Sequence, residues 1–89
     1  IEAASVPKVV ELASKQFHIS QYESEGVLTH LIAGGDLSLY GMANAVTRYA
    51  QDVNSYDRST ELEAIGYSII TVAPTIWRSI LSAARKEVI

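Results

Sequence analysis

The feature that most narrows what this chain can fold into is a repeated helical rhythm. Five stretches of roughly 10 to 16 residues carry apolar residues at helical spacing, with short polar or Gly/Pro breaks between them. Breaks of that length join neighbouring helices in small bundles. The clearest stretch places Leu39, Met42, Ala43, Val46, Ala50 and Val53 on one arc, with Asn44, Thr47, Arg48, Gln51 and Asp52 on the complementary arc. A strand competes at one β-branched run, Ile69-Ile70-Thr71-Val72, but no second strand-like run is available to pair with it. The expected fold is therefore all-α: a compact bundle of about five helices forming one domain over residues 1–89.

Start and stop signals give the expected boundaries. Ser5 is placed as an N-cap, with Pro7 in the first turn of a helix that runs to about Phe17. Val6, Val9, Val10, Ala13 and Phe17 form its apolar stripe, while Lys8, Glu11 and Lys15 face away. Ser20 and Glu23 have the spacing of a capping box, in which each side chain satisfies the other's free backbone N–H. Val27, Leu28, Leu31 and Ile32 then form the buried face, and Gly34-Gly35 supplies the left-handed stop. The third helix follows a break at Asp36 to Ser38. Asn54 to Asp57 reads as a turn, with the fourth helix starting near Asp57 or Ser59 and burying Leu62, Ile65, Ile69 and Val72. Asp57, Glu61 and Glu63 lie toward its positive end. Pro74 opens the last helix, to about Lys86, with Ile76, Trp77, Ile80, Leu81, Ala84 and Val88 on one side and Arg85 and Lys86 at the negative end. Trp77 is expected in the core rather than on a partner surface.

Composition removes several function classes. With no cysteine there is no disulfide framework, thiolate metal cluster or cysteine nucleophile. Seven Lys+Arg stand against ten Asp+Glu, a poor balance for a domain that grips a phosphate backbone alone. No apolar run approaches the roughly 20 residues that span a bilayer, and residues 1–5 lack the features of a signal peptide, so no membrane association is expected. The two histidines have no ligand spacing: His18 reads as a helix C-terminal residue and His30 lies on the flank of the second helix. There is no G-x-S-x-G elbow, and Gly34-Gly35-Asp36 lacks the spacing of a phosphate loop. The carboxylates at Asp52, Asp57, Glu61 and Glu63 are spread over a turn and a helix start, where capping explains them. The residues thus suggest no catalytic group, metal ligand or cofactor, and the reading leans away from an enzyme.

The densest polar constellation runs from Asn44 to Glu63. Asn44, Arg48 and Asp52 fall at steps of four, so they project from one side of the third helix. Arg48 is in a position to pair with Asp52, or to reach Asp57 or Glu61 and lock the third helix to the fourth. The same region carries a resemblance. Tyr40-Gly41 leads into Asn44-Ala45-Val46-Thr47-Arg48, then Ala50-Gln51-Asp52, then Ser55-Tyr56-Asp57-Arg58-Ser59-Thr60-Glu61-Leu62-Glu63 and Gly66. This order resembles the C-terminal part of a phage- and plasmid-associated protein family of unknown function. The resemblance covers residues 40–66 closely and extends loosely back to Ser20. It implies a prokaryotic mobile-element origin, a cytoplasmic setting in a bacterial or phage-infected cell, and a longer protein whose N-terminal part is a partner of this chain. It imports no reaction. The positions matching the pattern, Asn44, Thr47, Arg48, Asp52, Tyr56, Asp57 and Glu61, become candidates for a shared interaction or structural network.

Three functional readings follow. The first is a non-enzymatic interaction or assembly module, motivated by 48% apolar residues in so short a chain, with a second copy or the N-terminal part as occupant of surplus surface. The alternative is an accessory nucleic-acid role in replication or recombination of a mobile element. Its basic patch would form only if Lys8 and Lys15 of the first helix lie beside Arg78, Arg85 and Lys86 of the last. The third is an enzyme whose site lies mostly elsewhere in a longer protein, with Arg48 or Asp57 contributed from this part.

Overall fold

A computed structural model of the chain describes residues 6–88, with side chains as far as Arg85. It contains five α-helices among the described residues and no strand: α1 (Val6–Gln16), α2 (Gln21–Gly34), α3 (Leu39–Asp52), α4 (Tyr56–Ile70) and α5 (Pro74–Val88). The expected cap at Ser5 and the side chains of Lys86 and Val88 lie outside the described residues.

Side chains begin three of these helices. The Ser20 hydroxyl accepts from the Glu23 N–H at 3.1 Å, and the Glu23 carboxylate accepts from the Ser20 N–H at 3.0 Å, closing the capping box. The Ser38 hydroxyl accepts from Gly41 N–H at 3.2 Å and begins α3. Ser55 does the same with Arg58 N–H at 3.3 Å, which starts α4 at Tyr56, slightly earlier than the turn residues suggested. Two of the stops, those of α1 and α2, use left-handed residues. Gly35, at φ 69°, ends α2 with its N–H on Leu31 O at 3.0 Å. At the end of α1 the left-handed residue is His18, at φ 60°, and Ile19 N–H reaches back to Ser14 O at 2.9 Å, the long bond of a Schellman motif. The β-branched run is resolved by α4 continuing through Ile70. Val72 therefore sits in the following turn, half-buried, and not on the helix face.

The helices pack in the order α5, α1, α2, α3, α4, so α3 lies between α2 and α4, and α1 lies between α2 and α5. Val9, Val10, Ala13, Val27, Leu31, Met42, Val46, Leu62, Ile69, Ile80 and Ala84 fill one continuous core. Trp77 is buried as expected, and its indole N–H donates to Leu37 O at 3.0 Å, tying α5 to the α2–α3 connection. Two expected core residues are exposed instead. Ile32 follows Leu31 by about 100° around the helix, and α2 meets its neighbours on a narrow strip through Val27 and Leu31. Ile76 lies in the first turn of α5, where Trp77 takes the inward position. No single helix is long and apolar enough to cross a membrane.

α3 and α4 also approach each other closely. A Cβ on Gly66 would sit 2.5 Å from Thr47 Cγ2 and 3.3 Å from the Ala43 carbonyl oxygen. Glycine here lets α4 lie directly on α3, and Thr47 supplies the methyl that fills the contact. Gly66→Ala is expected to cost about 1–3 kcal/mol in urea denaturation, as overpacking does. Thr47→Ser removes the clashing methyl, so the double mutant should recover part of that loss and give a measurable coupling energy. At the α1 stop, His18→Gly removes a left-handed L-residue costing roughly 1–2 kcal/mol and adds glycine's unfolded-state entropy of roughly 0.5–1 kcal/mol. The same measurement should therefore show a net gain of about 0.5–1 kcal/mol.

Candidate functional site

Two polar assemblies stand out, and they differ in kind. The first is a closed clamp built on Arg58, in the first turn of α4. Its Nε donates to Glu23 Oε2 at 2.7 Å and its Nη2 to Glu23 Oε1 at 2.6 Å, a two-pronged fit between planar groups. Nη1 donates to Glu61 Oε2 at 2.9 Å on the same helix, and Nη2 also reaches His18 O at 3.3 Å. The hydrogen-bonded Arg58 guanidinium, assisted by the Ser20 N–H, overcomes the desolvation of Glu23 and holds its carboxyl down at about 2. In return the Glu23 carboxylate raises the Arg58 pKa above its ordinary value. Both groups are locked in their charged forms, which suits them to fastening and not to proton transfer.

The second assembly is an open polar cleft of about 180 Å³ between the C-terminal half of α2, the α2–α3 connection and α3. Its walls are His30, Gly34, Asp36, Gly41, Asn44, Ala45 and Arg48. Gly41 is needed here, because a Cβ at that position would run into the Asp36 backbone carbonyl. Asp36 is held by its own connection: it accepts from Ser38 N–H and from the Ser38 hydroxyl, each at 2.9 Å, and these bonds lower its pKa. His30 Nε2 and Asp52 Oδ2 lie 2.6 Å apart across the α2–α3 seam. Arg48 is exposed and enters no ion pair with a described residue.

The candidates drawn from the sequence divide accordingly. Asn44 and Arg48 line the cleft, and Asp52 stands at its edge through His30, so the shared side expected for these three is present. Thr47 faces the other way, into Gly66 of α4. Tyr56 and Asp57 are exposed in the first turn of α4, and Glu61 belongs to the clamp. The expected bridge from Arg48 to the fourth helix is absent. Arg48 projects from the α2 side of α3, whereas α4 sits on the Ala43–Thr47 side, and Asp52 is engaged by His30. The bridging arginine is Arg58, and it joins α4 to α2.

The residues that sequence reasoning missed are Glu23 as an ion-pair partner, Arg58, His30 and Asp36. Arg58 and Glu61 carried a local signal, since residues three apart on a helix are neighbours. Glu23 was visible only as a capping residue, and its second partner is 35 positions away. The pair His30–Asp52 is 22 positions apart and has no local signature. The basic patch fares poorly. α1 and α5 do pack together, but Lys8 and Lys15 flank Glu11, at 3.2 and 3.4 Å. Among the described residues, no group of three or more His, Asp or Glu is placed to hold a metal ion.

The clamp makes stability acid-sensitive in a defined window. An acid whose pKa is depressed by folding contributes in full above its unfolded value, here 4.5, and loses that contribution as pH falls toward about 2. Denaturation measured across that window should show a loss of roughly 2–3 kcal/mol attributable to Glu23. In Glu23→Gln the slope between those values should flatten, with lower stability at neutral pH.

No family model, curated protein or solved structure matches the chain. The resemblance over residues 40–66 rests on those residues alone.

Proposed function

We propose that this chain is a non-enzymatic helical interaction module and, following the resemblance over residues 40–66, part of a phage- or plasmid-related protein. The observation that carries the reading is the outer face of α4. Tyr56, Thr60, Glu63, Tyr67 and Ile70 follow one another at steps of four, three, four and three, so they form a single stripe. That stripe lies to one side of Leu62, Gly66 and Ile69, which are buried. Tyr56 is 84% exposed, Tyr67 68% and Ile70 42%, and Ile76 is exposed at the start of the next helix. Exposed tyrosines on a rigid helix offer large amphipathic area with little side-chain entropy to lose on binding.

Glu63 at the middle of the stripe selects the partner. Two copies of α4 paired about a two-fold axis would bring Glu63 against Glu63, which like-charge repulsion opposes. A partner helix with an apolar stripe broken by a Lys or Arg would satisfy the carboxylate instead. The accessory nucleic-acid reading has less to draw on, since Lys8 and Lys15 are engaged with Glu11.

Sedimentation equilibrium at pH 7 tests this. The native chain is expected to be monomeric. Glu63→Leu completes the apolar stripe and should produce a dimer, and adding Tyr67→Ser should return it to monomer. A Glu63→Leu chain that stays monomeric at millimolar concentration would show that the face is not adhesive, and the proposal would fall. A native dimer that Tyr67→Ser disrupts would replace the heterologous partner with a second copy.

A further inference from the structure

The α2–α3 cleft lies on a different side of α3 from the α4 stripe, and it holds an unusual combination. Arg48 and Asp36 line the same cleft with opposite charges, yet they do not pair with each other. Nor has Arg48 an ion-pair partner elsewhere among the described residues. Its neighbour four residues on, Asp52, is the natural helical partner for an arginine, but that carboxylate is held by His30 at 2.6 Å. Asp36 is fixed in direction by two bonds to Ser38 and keeps lone pairs unused. Asn44, one turn before Arg48, adds an amide whose two N–H donors make no bond among the described residues. The cleft is thus lined by an arginine and an asparagine of α3 and by an aspartate of the α2–α3 connection.

We infer that this cleft binds a small zwitterion, its oxyanion held by Arg48 and Asn44 and its ammonium group by Asp36. Arg48 supplies the two parallel N–H donors that match a carboxylate or phosphate. Asp36 stabilises a cation that a plain anion lacks, and it repels an anion that carries no such group. Size agrees with the charge pattern. At about 30 Å³ per water, the 180 Å³ of the cleft corresponds to roughly six waters, the scale of a ligand with about that many heavy atoms. An α-amino acid such as alanine is of that size, and an aminoalkyl phosphate is slightly larger. Gly34, Gly41 and Ala45 add no long side chain to the cleft walls.

The test is an amide and side-chain NMR titration of the full chain at pH 7 and low salt with four probes: alanine, phosphoethanolamine, acetate and methylammonium. At least one zwitterion should shift the Gly34 and Gly41 amides, the Asn44 side-chain amide and the Arg48 Nε–H signal. Its affinity should be about tenfold tighter than that of acetate or methylammonium. Preference for alanine or for phosphoethanolamine identifies the oxyanion as carboxylate or phosphate. Arg48→Gln, at an exposed position that leaves the core untouched, should abolish the shifts, and Asp36→Asn should reduce the zwitterion to the level of acetate. The inference is overturned if neither zwitterion moves these signals at tens of millimolar, if the shifts survive Arg48→Gln, or if acetate binds as tightly as the zwitterions.

Discussion

One guanidinium group joins two stretches of the chain that are remote in sequence, residues 18–23 and 58–61. Arg58 holds the start of α2 through Glu23, the end of α1 through His18, and its own helix through Glu61. The capping box gives this arrangement its reach. Glu23 is also held by the Ser20 N–H, so the cap and the fork share the cost of ordering one side chain. Exposed ion pairs contribute little because water competes and long side chains must be frozen. Here the carboxylate is mostly shielded, two-pronged and pre-oriented, and removing either partner would strand a charge in a partly desolvated site. α2 and α4 both pack on α3, and the clamp sets their first turns at a common end of the bundle.

α3 sits at the centre of what remains, and its residue sizes explain why. Gly41, Met42, Ala43, Ala45, Val46 and Ala50 are buried, so the helix is lined by small side chains over most of its circumference. Small residues let two neighbours approach at once, and Gly66 completes the approach on the α4 side. On the α2 side a different small residue has a different consequence. Gly41 lets the Asp36 carbonyl lie against α3, and Asp36 so becomes part of the cleft wall. The same economy of volume that makes α3 a packing centre leaves space beside it.

How far the sequence was legible follows from the range of the interactions. The five helices, the Ser20–Glu23 box, the Gly35 stop, Pro74 at the start of α5 and the buried Trp77 all depend on neighbours within a few residues or on periodicity, and these were readable. Ile32 and Ile76 were misplaced because a period assigns a face but not the width of the strip that a neighbour covers. His18 as a left-handed stop was hidden for a related reason: glycine announces that conformation, and histidine does not. The site was legible by halves. The step of four that links Asn44, Arg48 and Asp52 was real, but which arginine bridges the helices depended on the rotation of α3 between its neighbours, and no local pattern carries that angle.

The distribution of satisfied and unsatisfied groups bears on the proposed binding role. Among the described residues the shifted carboxyls all move down. Glu23 and Asp36 are both held further into the ionised range by donors, and the structure gives each a fixed direction in space. Fixed charges of known direction are the ingredients of recognition. In Glu23 the partner is internal and the result is a fold lock. Asp36 and Arg48 line one cleft without pairing, and the proposed ligand would supply the group that joins them.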